Sequence, residues 1–159
     1  MKSSCCAALW AVLAFSGTTL AQTPPAQEQV VVRAGAASSS QGPEHNFTGK
    51  VRVDPVFAWH ADAPYSASYV TFEPGARSAW HVHPGGQRLV VTAGVGRTGV
   101  WGGPVVEIRT GDAVWCPPGV KHWHGAAPGS PMTHLALTGQ RDGKNVVWMD
   151  KVSDEEYGR

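Results

Sequence analysis

Cysteine is scarce in this 159-residue chain, and two of its three copies, Cys5 and Cys6, fall ahead of an apolar run at 7–15. Cys116 alone in the rest of the chain cannot close an internal disulfide, so the fold must stand on its packing. Beside Pro117 and Pro118, it reads as a small buried filler and not as a nucleophile. Net charge is lacking too. Lys and Arg number 13 against 12 Asp and Glu, a formal +1, which gives no electrostatic pull toward nucleic acid or an anionic membrane. The apolar run is too short for the roughly 20 residues that a bilayer crossing requires. There is no internal repeat, and helical patterning is absent outside a short acidic tail. The length suffices for one domain with a real core, not two.

What is present divides the chain into four parts. Lys2, the apolar run and the small residues ending at Ala21 have the layout of a secretory signal peptide, residues 1–21. The mature protein is then expected to be secreted, or periplasmic in a Gram-negative bacterium, and free of the membrane. Cleavage there leaves 12 basic residues against 12 acidic ones. Residues 22–45 are rich in Pro, Ala, Ser and Gln and read as a flexible lead-in, in which Val30, Val31 and Val32 can pair as an edge strand. The body, 46–153, is a series of short β-prone runs: 47–59, 66–73, 79–83, 88–93, 96–101, 105–109, 113–116, 122–124, 132–138 and 145–152. Gly and Pro mark most breaks, about every 8–12 residues, the rhythm of an all-β sandwich or barrel. The tail, 154–159, opens with an acidic cluster that reads as a solvated end able to start one helical turn.

Five of the seven histidines lie between 81 and 134. Alternation across a strand puts His81 with His83 and His122 with His124 on shared faces. Gln87, Leu89 and Val91 form another such set, and His134, Ala136 and Thr138 a third. A single histidine in such a body is ordinarily a hydrogen-bonded core residue. Several converging imidazoles would repel and desolvate one another if protonated, a cost that vanishes when neutral nitrogens serve as metal ligands.

The spacing of these residues follows two blocks. Gly75-x5-His81-x-His83-x3-Gln87-x6-Gly94 resembles the first cupin motif, with Gln in the usual Glu position. Gly111-x5-Pro117-x-Gly119-x2-His122 resembles the second, with Ala126 in its final Asn position. The resemblance implies a single-domain cupin, a small jelly-roll β-barrel with one divalent metal ion on His81, His83, Gln87 and His122. Three imidazoles and a neutral amide leave the full double charge on the cation, making it a stronger Lewis acid than a carboxylate site would. Ligand chemistry alone admits Mn(II), Fe(II), Ni(II) or Zn(II). Small barrels also pair their open sheet edges, so a homo-oligomer, dimer or tetramer, is expected.

The stretches 72–81, 83–87, 121–128 and 132–136 narrow the likeness. They resemble the bacterial manganese-dependent cupins with hydroxynitrile lyase activity. That resemblance implies Mn(II) on the four ligands, His124 and His134 assisting as general base or proton carrier, and reversible cleavage of an aromatic (R)-cyanohydrin into aldehyde and hydrogen cyanide. Ser68, Val70 and Thr138 occupy places that line the family's pocket, and Val70, Phe72, Leu89 and Val91 supply an apolar wall for the substrate's ring. Other readings stay open from the residues alone. His124 can instead orient a ligand, and His134 can be a satisfied core histidine. The same site with iron suits a quercetinase-like dioxygenase, and without turnover a secreted module that binds a small molecule or a metal.

Overall fold

The computed structural model describes residues 28–158. Of the N-terminal unit, Met1–Val30, only residues 28–30 are described, exposed and irregular; the expected signal peptide lies outside the described residues. All that follows concerns the unit from Val31 onward. Among the described residues no helix is long and apolar enough to cross a membrane.

The described residues form twelve strands and one short helix. In order these are β1 (Ser40–Gln41), β2 (Phe47–Thr48), β3 (Val51–Phe57), β4 (Tyr65–Phe72), β5 (Arg77–Ser78) and β6 (His81–Val82). Then come β7 (Gln87–Val100), β8 (Val105–Arg109), β9 (Ala113–Cys116), β10 (His122–Ala126), β11 (Met132–Gly139), β12 (Val147–Trp148) and α1 (Asp154–Gly158). The pairings are antiparallel, and the curled sheet runs β1-β3-β4-β11-β7-β10-β5-β2. This is the all-β barrel expected from the turn spacing.

The runs 88–93 and 96–101 belong to one strand, β7. Its first half pairs with β9 and β11, and its second with β8 and β10. Gly94, which looks like a break in sequence, is where the strand passes from one half of the sheet to the other. Its φ of 79° and the Pro131 carbonyl, 1.9 Å from where a Cβ would stand, admit no side chain. Phe47, Val51, Val70, Phe72, Val91, Ile108 and Met132 fill the interior between the halves. Ala126 is wholly buried among them, so an Asn there would carry its amide into an apolar core.

Two expectations at the ends need correction. Val30, Val31 and Val32 are exposed and form no strand; the edge of β3 is taken by Ser40–Gln41 instead. The tail is not simply solvated. Ser153 and Glu156 form a reciprocal capping box, the Glu156 N–H donating to Ser153 Oγ and the Ser153 N–H to Glu156 Oε2. That start aims Tyr157 inward, where it is buried between the Arg77 and Arg97 guanidinium groups, 4.7 and 5.2 Å from its ring centre. Its hydroxyl donates to the Ala126 carbonyl at 2.8 Å.

Candidate metal centre

His81 opens β6 and His122 opens β10, and the two are direct partners in the antiparallel register. His83 lies just beyond β6, and Gln87 opens β7. Strand pairing therefore brings the four residues to one place. The His81 and His122 rings are 4.3 Å apart, His81 and His83 5.0 Å, and His83 and His122 5.4 Å. One nitrogen from each imidazole lies within 4.8 Å of the others. All four side chains are buried.

The outward nitrogens are tied down. His81 Nδ1–H donates to the Ala79 carbonyl at 2.9 Å, His122 Nδ1–H to Val120 at 2.9 Å, and His83 Nδ1–H to Asn145 at 2.5 Å. A proton on Nδ1 leaves the lone pair on Nε2. His83 Nε2 is buried without a partner, and His122 Nε2 faces the Gln87 oxygen at 3.4 Å. With Nδ1 protonated, the His122 Nε2 lone pair faces the Gln87 oxygen, an arrangement that a cation held between them resolves. The donor set fits one divalent ion.

His124 follows His122 on the same face of β10, and its ring is 5.1 Å from that of His81. His134, on β11, reaches it from across the barrel; His134 Nε2 and His124 Nδ1 share a hydrogen bond of 3.0 Å. The other ring nitrogens, His124 Nε2 and His134 Nδ1, are buried with no partner. Phe72 packs against both rings at 5.8 and 5.6 Å. Val70, Leu89 and Val91 are buried on the inward face, while Ser68 and Thr138 are half-buried. The structure thus brings His81, His83, Gln87 and His122 together, with His124, His134, Phe72 and Thr138 against them, while Val70 and Val91 pack with Phe72 in the apolar core. His45 and His60 stand exposed, away from the cluster.

Five contributors carry no signal of this role in the sequence. The carbonyls of Ala79, Val120 and Asn145 are backbone groups, visible only once the loops are placed. Trp148 pairs with His81 across β12 and β6 and lays its ring 4.8 Å away. Thr138 accepts a hydrogen bond from Gln87 Nε2, a contact set by strand register.

Burial dominates the electrostatics. Desolvation holds all five interior histidines below the usual imidazole range, His83 and His134 down to about 4. In His81 and His124 the neighbouring imidazoles push the same way. Between the unfolded pKa near 6.5 and these depressed values the unfolded chain binds more protons than the folded one. The stability of the metal-free protein is therefore fully present above roughly pH 7 and falls as the pH drops through about 6 toward 4. Thermal unfolding of chelator-treated protein should show a Tm that declines steadily across that window. A Tm flat from about pH 7 to 5 would contradict neutral burial of the cluster. Cys116 is buried as expected, its thiol pushed up to about 11 by desolvation, which leaves it inert.

A curled antiparallel barrel with a buried three-histidine cluster defines a cupin domain able to bind one metal ion. The Cupin domain family model matches residues 68–137, and the chain belongs to the cupin family. It is 54% identical over 129 residues to an (R)-mandelonitrile lyase of Granulicella tundricola, covering 81% of this chain and 98% of that protein. A crystal structure of a cupin-like protein from Thermotoga maritima matches with TM-score 0.71 and 38% identity, over 81% of this chain and 95% of that one. A cupin 2 conserved barrel domain protein from Rhodopseudomonas palustris shares the fold at TM-score 0.60 and 18% identity, over 75% and 79% of the two chains.

Proposed function

We propose that this protein is a metal-dependent lyase that reversibly cleaves aromatic (R)-cyanohydrins to an aldehyde and hydrogen cyanide. The observation that carries the reading is the His124–His134 pair, hydrogen-bonded to each other and each with a buried nitrogen left over, beside a neutral-ligand metal cluster. The relative named for mandelonitrile cleavage supports the substrate class.

A divalent ion on His81, His83, Gln87 and His122 supplies Lewis acidity toward a substrate oxygen. We assign it as Mn(II), with Fe(II), Ni(II) and Zn(II) distinguished by elemental analysis. The chain's own residues do the rest. His124 Nε2 takes the hydroxyl proton, the carbon–cyanide bond breaks with its electron pair leaving on cyanide, and the oxygen's electrons form the carbonyl. His134 Nε2 then accepts from His124 Nδ1–H and shares the imidazolium charge. The same desolvation that lowers both imidazoles makes the captured proton easy to pass to cyanide. Phe72, Val70, Leu89 and Val91 exclude water and seat the ring, with Ser68 and Thr138 at the polar margin.

The test is benzaldehyde release from racemic mandelonitrile by full-length protein loaded with Mn(II), followed by chiral analysis of the residue. Consumption of the R enantiomer above the rate of free Mn(II) is expected. No release with metal bound, or oxygen uptake with flavonol substrates instead, would overturn the assignment. We read the mature protein as secreted or periplasmic and homo-oligomeric, a dimer or tetramer. Fractionation of expressing cells and a solution mass measurement check these points.

A further inference from the structure

Gln87 differs from the other three ligands in offering two different ends. An imidazole tied through Nδ1 has only Nε2 to give, but a primary amide can turn its oxygen or its NH₂ inward with almost the same shape. Turned inward, the nitrogen would donate to His122 Nε2 and close the site. Only the oxygen can hold a cation.

In the structure the oxygen faces inward, 3.4 Å from His122 Nε2, and the amide nitrogen is turned to β11. There it donates to Thr138 Oγ1 at 3.1 Å. No other partner of that nitrogen occurs among the described residues. Thr138 stands opposite Gln87 in the β7–β11 register, so backbone pairing itself delivers the hydroxyl. A cation pulling electrons through the amide oxygen makes the N–H a better donor, so this hydrogen bond is stronger in the loaded protein than in the stripped one.

We propose that Thr138 is a positioning residue for the metal site: its hydroxyl accepts the Gln87 amide N–H and keeps the amide oxygen on the cation. The inference rests on Gln87 being a ligand, and is independent of which reaction the site performs. Valine matches threonine in shape and offers no acceptor, while serine keeps the hydroxyl.

The experiment is Mn(II) titration of full-length, metal-stripped protein, followed by electron paramagnetic resonance, with the visible spectrum of the Co(II)-loaded protein as second readout. Thr138→Val should weaken Mn(II) binding about 10-fold, as loss of a ligand's outer hydrogen-bond partner generally does. Its Co(II) spectrum should move toward that of Gln87→Ala, and Thr138→Ser should restore both. If Gln87→Ala weakens binding and Thr138→Val does not, the clamp is wrong and the ligand assignment stands. If Gln87→Ala changes neither readout, Gln87 is no ligand and both ideas fall. A Thr138→Ser protein that behaves like Thr138→Val would likewise overturn the hydroxyl's role.

Discussion

Exchanging His122 for alanine is expected to abolish metal retention and, with it, turnover. His122 is fully buried and forms one corner of the histidine triangle, its ring 4.3 Å from His81 and 5.4 Å from His83. It also faces the Gln87 oxygen. A carboxylate-containing site could lose one imidazole and still attract a cation by charge. Here every proposed ligand is neutral, so two imidazoles and an amide would remain with no Coulombic help. Changing an outer partner of a metal ligand costs about 10–100-fold in affinity, and removing the ligand itself should cost more. Elemental analysis after gel filtration should find no bound metal, and mandelonitrile cleavage should fall to the free-metal background. The wild-type protein treated with a chelator should lose activity equally and regain it on adding Mn(II). His45→Ala, at an exposed position, should change neither quantity. Stoichiometric metal in His122→Ala would remove His122 from the ligand set.

The architecture was legible because the residues that carry it obey short-range rules. Strand alternation put Gln87, Leu89 and Val91 on one face, and all three are buried. Turn residues at regular spacing marked the barrel. The histidine cluster was legible because its two blocks have fixed internal spacing, so the likeness to cupins points to His81, His83 and His122, which the fold brings together, and to Gln87, whose amide oxygen lies beside His122. Where the reading failed, a longer-range fact decided. Gly94 ends a β-prone run by local rules, yet β7 runs on through it, and the carbonyl of Pro131, just ahead of β11, leaves room there for no residue but glycine. The acidic tail looked solvated because Asp154 and Glu155 dominate its composition. Ser153 and Glu156 carried a capping box that could have been read, but the two guanidinium groups receiving Tyr157 come from β5 and β7. Trp148 and the three carbonyls holding the imidazoles depend on loops whose course no periodicity reports.

The second large effect is expected at His124, and it should separate chemistry from metal binding. His124 contacts the cluster only through its ring neighbours, 5.1 Å from His81 and 6.0 Å from His122, while its Nδ1 is engaged by His134. His124→Ala should therefore keep the metal while turnover of mandelonitrile drops about 10²–10⁴-fold, the range that a positioned proton carrier contributes. In the proposed mechanism His134 acts through His124, so His134→Ala should cost less. Because the two share one hydrogen bond, the double variant should be little worse than His124→Ala alone. The pairing also predicts the form of the loss. With the substrate's ring seated on Phe72, Val70, Leu89 and Val91 as proposed, kcat should fall while KM stays close to the wild-type value. A purely ligand-orienting His124 would give the opposite pattern. Metal would be lost from the alanine variant, and added Mn(II) would restore its turnover. Metal content and kcat measured on the same preparations decide between the two, and additive losses in the double variant would break the shared-proton account.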